Sequence, residues 1–214
     1  MPDRNASLMA TNRSDLSERD DAALAASLRA RERGAAVQAW ARFSPLVLGV
    51  LRRFFGPGSA VDRQDLCQEV FLRFFARIDE LRDAGALRGF LVGIALGVAQ
   101  NELRRVRVRR LVRLTPAGEL PDVAVSGADP EAREATQRFY QLLERLSVED
   151  RTLFVTRYVE KMEIAELATV VGLPLSTAKR RLARATRRIG AKMRRDPALS
   201  RYVDGLLSGQ AVRS

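Results

Sequence analysis

The segment Ile164–Lys192, IAELATVVGLPLSTAKRRLARATRRIGAK, narrows the choice of fold more than any other part of the chain. It opens with a short apolar helix over Ile164–Val171. Gly172 follows, a residue that ends a helix with positive φ at little cost. Pro174 then blocks simple continuation, and Ser176 or Thr177 is placed to cap a second helix. In that helix Ala178, Leu182, Ala185, Ile189 and Met193 recur at steps of four and three, one apolar stripe at the helical period. The other faces are cationic, with Lys179, Arg180, Arg181, Arg184, Arg187, Arg188 and Lys192. Ser176–Arg195 holds nine Lys or Arg and no acid. A short helix, a glycine turn and a basic helix form the arrangement that lays its second helix in the DNA major groove. A merely solvated face mixes signs, and a membrane-surface helix carries Trp or Phe on its apolar side. Neither description fits, so the segment reads as DNA-binding.

Composition agrees with a polyanionic partner. The chain has 214 residues and a formal net charge of +11, from 37 Lys and Arg against 26 acids. One Cys and no His exclude disulfide frameworks, Cys/His zinc sites and histidine acid–base chemistry. A lone Cys fits a reducing compartment. The longest apolar run, Phe90–Ala99, falls short of the ~20 residues that span a bilayer. The polar N-terminus does not resemble a signal peptide. A soluble cytoplasmic protein without membrane insertion is expected.

The pattern along the chain is helical throughout, with no strand and no repeat. Residues 1–19 are polar and read as a disordered tail. From Asp20 the apolar positions Leu24, Leu28, Ala35, Val37, Trp40, Phe43, Val47, Val50, Leu51 and Phe54 predict two helices broken near Gly34. Pro45 should kink the second or make it begin again. A Gly-Pro-Gly-Ser turn at 56–59 precedes a helix whose stripe is Leu66, Val70, Phe71, Phe74, Phe75, Ile78 and Leu81. A small loop, Arg82–Gly89, leads to a helix running to about Val108. Its first half is apolar, the buried centre of a four-helix domain. Its end is basic, with Arg104, Arg105, Arg107, Arg109, Arg110 and Arg113, more arginines than a helix dipole requires. Residues 114–129 read as a linker rich in Pro and Gly. A second helical domain then starts, with Ser147 and Asp150 in capping-box positions before the helix-turn-helix. The fold class is therefore all-α, with two small helical domains at 20–113 and 130–195, a flexible linker, and a C-terminal tail over 196–214.

Other residues have plain structural roles. Cys67 reads as a packed thiol and Trp40 as core. From periodicity alone, Asp65, Gln68 and Glu69 read as a solvated face. The pairs Asp62/Asp65 and Glu163/Glu166 lack a phosphate loop or a metal-ligand pattern. No catalytic constellation, metal or cofactor is expected.

Two helical domains, each with a cationic helix, resemble the extracytoplasmic-function (ECF) sigma factors of the bacterial RNA polymerase sigma-70 family. DLCQEVFLRFF matches the family's Asp-x-x-Gln-Glu-x-Phe pattern in region 2, which docks on core polymerase. The resemblance thereby turns Asp65, Gln68, Glu69 and Leu72 into a polymerase-binding face. LRGFLVGIALGVAQNELRR resembles the strand-opening segment. It implies contacts to the melted −10 element from Arg82, Arg88, Gly97, Asn101, Arg104, Arg105 and Arg107. LERLSVEDRTLFVTRYVEKMEIAELA with LPLSTAKRRLARA resembles region 4. It implies that Ser176, Thr177, Lys179, Arg180, Arg181, Arg184, Arg187 and Arg188 meet the −35 element.

Three positions depart from the family. Phe90-Leu91 replaces Trp-Leu, and Ser176-Thr177-Ala178 replaces Gly-Thr-Val. Gly97 stands where an Asn often contacts a flipped base. Base choice there is expected to differ, or to rest on the loop Arg82–Arg88. The resemblance implies core RNA polymerase and promoter DNA as partners, a linker in the RNA exit path, and an anti-sigma protein as a further expectation. It implies no enzymatic activity. The competing reading is a helix-turn-helix repressor or activator that acts without polymerase.

Overall fold

The computed structural model describes residues 20–57, 59–112 and 129–207, and among them every regular element is helical. Helix α1 spans residues 20–29. It is followed by α2 (Ala35–Phe55), α3 (Arg63–Ala76) and α4 (Leu87–Val112). Single 3₁₀ turns at Ile78–Glu80 and Ala84–Ala86 bridge α3 and α4. The second set is α5 (Pro130–Glu144), α6 (Val148–Tyr158), α7 (Ile164–Val170), α8 (Leu175–Arg195) and the short α9 (Val203–Leu207). The tail 1–19, the linker 114–128 and residues 208–214 lie outside the described residues, as do Arg113 and the side chain of Arg110.

In the first domain α2, α3 and α4 pack pairwise. The predicted stripe of α3 is the contact surface. Leu66, Val70, Phe71 and Phe74 are buried there, against Phe43, Val47, Leu51 and Phe54 of α2 and Leu91, Ala95 and Leu96 of α4. Asp62 starts α3 by accepting from the backbone N–H of Gln64 at 2.8 Å and of Asp65 at 3.1 Å, which satisfies two donors that have no helical partner. In the second domain the underside of α8 is formed by Ala178, Leu182, Ala185, Ile189 and Met193. All five are buried, as the period requires. Helices α6 and α7 pack on this face.

Local chemistry explains the joints. Between α7 and α8, Gly172 adopts φ +67. Its N–H donates to Thr169 O at 3.1 Å, and that of Leu173 donates to Ala168 O at 2.9 Å. This double closure is the Schellman arrangement that only a left-handed residue completes cheaply. Ser147 caps α6, its Oγ accepting from Asp150 N at 3.0 Å. The Asp150 carboxylate instead points to Arg184, at 3.6 Å.

The structure corrects four details. Pro45 does not make its helix begin again, because α2 runs through it. Pro45 and Ala41 are both exposed, so water can satisfy the carbonyl that loses its helical donor. Ser176 and Thr177 do not cap α8. Pro174 holds the cap position with ψ 138 and α8 starts at Leu175, which places both residues in its first turn without a side-chain cap. Trp40 is 36% exposed, although one face lies on Phe71 with centroids 4.5 Å apart. Finally, α4 continues past Val108 to Val112.

Candidate nucleic-acid interface

Two surfaces carry the residues singled out in the sequence. The first is the outer face of α8. Ser176, Lys179, Arg180, Arg184, Arg187 and Arg188 are exposed, and Thr177 and Arg181 are half-buried. They fan out from a helix whose underside is locked in the core, so the charges are displayed on a rigid element. Arg184 leans on Asp150, and Arg181 lies in the field of Glu149. These two acids trim the cationic face at its inner edge. For Lys179, Arg180, Arg187 and Arg188 the described residues give no ion pair, and each keeps its donors toward solvent.

The second surface follows α4 and the loop before it. Arg82 and Arg88 are exposed. They line a cleft whose opposite wall is Lys161, Met162, Glu163 and Glu166, from the second domain. Gly97 is half-buried, and a methyl group added there would meet nothing within 4 Å. Packing therefore does not require glycine at this position. The basic end of α4 is engaged by protein. Arg104 donates to Asn101 Oδ1 at 3.1 Å and to Glu149 Oε1 at 3.0 Å. Arg107 donates to Leu146 O at 2.6 Å and to Glu144 O at 3.3 Å, at the C-terminal end of α5. Arg105 and Arg109 both pair with Glu102. Its own backbone N–H, and after it the Arg104 guanidinium, hold the Glu149 carboxyl below the usual carboxylate range.

A third face, on α3, is neither basic nor buried. Asp65, Gln68 and Leu72 are exposed and Glu69 is half-buried beside Arg73. Their spacing puts all four on one side of the helix. Leu72 is 71% exposed, and Val37 of α2 is 72% exposed. With Trp40 they make large apolar side chains unusually available to a partner. Helical spacing with Phe43 reads Trp40 as core. Trp40 sits one heptad before the buried Val47 and Val37 five full turns before the buried Phe55, so helical phase alone does not separate either from the core. Cys67, one turn away, is fully buried, and burial pushes its thiol above the ordinary value. It is an inert packing group.

Among the described residues no group of His, Cys, Asp and Glu is arranged to hold a metal. No described helix is long and apolar enough to cross a membrane.

Comparison with known proteins agrees with this layout. Residues 39–109 match the model of Sigma-70 region 2, and residues 136–189 match that of Sigma-70 region 4. A protein of Xanthomonas campestris described as a probable RNA polymerase sigma factor, RfaY, is 29% identical over 131 residues. That stretch is 57% of this chain but only 32% of the relative. The ECF RNA polymerase sigma factor SigW of Bacillus subtilis is 21% identical over 146 residues, 64% of this chain and 78% of that protein. SigC of Mycobacterium tuberculosis, another ECF RNA polymerase sigma factor, is 30% identical over 123 residues, 56% of this chain and 64% of that protein. The structure of CnrH in complex with the cytosolic domain of CnrY is alike in fold. Its TM-score is 0.57 at 24% identity, over 82% of this chain and 98% of that one. With the two matched regions in the family's order on two packed helical domains, the chain belongs to the sigma-70 family of RNA polymerase sigma factors, in its extracytoplasmic-function group.

Proposed function

We propose that the protein is a promoter-specificity subunit that binds core RNA polymerase and directs it to a two-part promoter. The observation that carries this reading is the coexistence of two unlike surfaces on one chain: the solvent-facing cationic helix α8 and the acidic, apolar face of α3. A duplex-binding repressor needs the first and has no use for the second.

In this reading the domain spanning 20–113 grips polymerase through Asp65, Gln68, Glu69 and Leu72. It holds the melted −10 strand with Arg82, Arg88, Asn101, Arg104, Arg105 and Arg107 beside the bare backbone at Gly97. The domain spanning 130–195 lays α8 in the major groove at the −35 element. Thr177, Lys179, Arg180, Arg181 and Arg184, near its start, face base edges and adjoining phosphates. Ser176 lies at the helix entry, and Arg187 and Arg188 contact phosphate. The protein performs no covalent step; polymerase makes the RNA. It works in the cytoplasm, where polymerase and DNA are. The fold neighbour CnrH was captured with CnrY, which supports an anti-sigma protein as a further partner here.

Run-off transcription with purified core polymerase and a promoter selected from random DNA by the reconstituted holoenzyme tests the reading. Promoter-dependent transcripts are expected only when the protein is present. Duplex binding by the protein alone, with no transcript under any selected promoter, would leave the repressor reading in its place. A finer expectation concerns α8. Arg180→Ala should cost about 1–3 kcal/mol of upstream-element affinity and relax selectivity at one base position, if its fork reads guanine. Equal losses on every upstream sequence, measured by competition binding, would make Arg180 a phosphate contact.

A further inference from the structure

Arg184, in the middle of the cationic face of α8, stands among cations on its own helix. Arg180, Arg181, Arg187 and Arg188 fill the four positions that neighbour it on the helix surface. Like charges at that spacing repel, and a long side chain with only repulsive neighbours holds no single direction. The anion it meets comes from a different element. Asp150 of α6 sets its Oδ1 3.6 Å from Arg184 Nη2, an ion pair somewhat longer than a hydrogen bond.

The two partners differ in burial. Asp150 is 8% exposed, whereas the Arg184 side chain is 65% exposed. Asp150 lies in the first turn of α6, whose start is fixed by the Ser147 cap. Arg151 and Thr152 after it are buried, and α6 packs directly on α8. The acid is therefore held by the scaffold while the base reaches into solvent. Asp150 Oδ1 is buried and accepts no hydrogen bond among the described residues. A desolvated oxygen without a donor is costly, which favours any cation that can reach it. Glu149, the acid beside it, is engaged elsewhere, with Arg104 at 3.0 Å.

We infer, on the proposed role of α8, that Asp150 is a positioning residue for the upstream element. It aims the Arg184 guanidinium and makes Arg184 a reader of one base pair instead of a phosphate contact. A guanidinium carries five N–H donors in one plane. Holding Nη2 near a fixed carboxylate restricts that plane and leaves the remaining donors facing outward. Base reading needs the restriction, because a guanine edge offers two acceptors at set positions. A phosphate contact carries no such demand and no sequence information. Pairing also weakens the pull of Arg184 toward phosphate. The acid thus lowers affinity for DNA in general and raises discrimination, as a specificity device does. Arg180, Arg187 and Arg188 have no ion pair of this kind among the described residues.

The test uses the reconstituted holoenzyme and its selected promoter, with every single-base substitution in the upstream element, in competition binding. Arg184→Ala should abolish the preference at one base pair. Asp150→Asn keeps the side-chain volume and removes the charge. It should lower the preference at that same pair about ten-fold and at no other. Promoters already substituted at that pair should be bound more tightly than by wild type, as the released guanidinium turns to the backbone. With Arg184→Ala in place, Asp150→Asn should change no preference at all. An intact preference at the Arg184 pair in Asp150→Asn overturns the assignment. So does a loss spread over all pairs that persists without Arg184, the mark of a merely structural role. A second measurement needs neither a variant nor DNA. In the free protein with isotope-labelled arginine, the Arg184 Nε–H order parameter should exceed those of Arg180, Arg187 and Arg188. Equal values also overturn the assignment. A wild-type holoenzyme without base preference in the upstream element would sink the proposed role of α8 and this assignment with it. A preference that Asp150→Asn does not alter sinks this assignment alone.

Discussion

Glu69→Lys is expected to abolish association with core polymerase and leave the helical fold intact. Glu69 lies on the solvent side of α3, between the exposed Gln68 and Leu72 and one turn after Asp65. Its only described ion-pair partner is Arg73, four residues on. Reversing its charge puts two cations at that spacing, which costs the helix a few tenths of a kcal/mol. The helix interior does not register the change, since Leu66, Val70, Phe71 and Phe74 face the other way. An interface registers far more. Loss of one partner from a desolvated charge pair costs about 2–5 kcal/mol, and reversal adds repulsion to that loss. A weakening of at least ~100-fold in co-purification or in a titration with core polymerase follows. The exposed Leu72 and Val37, with Trp40 braced on Phe71, supply the apolar centre that such a contact needs. Unchanged co-purification by a well-folded Glu69→Lys protein would remove α3 from the polymerase interface.

The contrast between α8 and α4 explains how much of this molecule was legible in its sequence. On α8 the apolar stripe and the cationic faces sit on one amphipathic helix, so local periodicity fixes both the core side and the displayed side. Ala178 through Met193 fall as expected. On α4 periodicity gives the helix and its apolar first half, yet the fate of its arginines depends on groups 37 to 45 residues later in the chain. Glu149 and the carbonyls of Glu144 and Leu146 carry no signature linking them to Arg104 or Arg107. Two of the acceptors are backbone atoms, which every residue has. The surface on α3 was half legible. Periodicity gives its acids as a solvated face and only the resemblance makes them a partner surface, while Trp40 reads as core because apolar residues are expected inside. Pro45 and the start of α8 depend on a solvated carbonyl and on one backbone torsion, respectively, and composition encodes neither.

Gly56→Ala is expected to be the most damaging single-methyl change at the contact between the domains. Gly56 ends α2 with φ 81 and ψ 174, a region of backbone space that essentially only glycine occupies. The residue is buried, and an added Cβ would overlap the ring of Tyr140. That ring has little room to withdraw, because its hydroxyl is bonded to Arg53 O and Phe139 lies 5.6 Å away, centroid to centroid. Backbone strain and ring displacement together amount to about 3 kcal/mol. At this chain length that lowers the melting temperature by about 6–12 °C. The two costs separate in a double-mutant cycle. Tyr140→Ala removes the ring and leaves the strain, so Gly56→Ala should be milder in the Tyr140→Ala background by about 1 kcal/mol or more. Strictly additive losses would mean that the ring does not rest on Gly56 in solution, and would break the link between the end of α2 and region 4. A non-additive result, together with a larger radius of gyration for Gly56→Ala alone, would place the strained turn itself at the contact between the two domains.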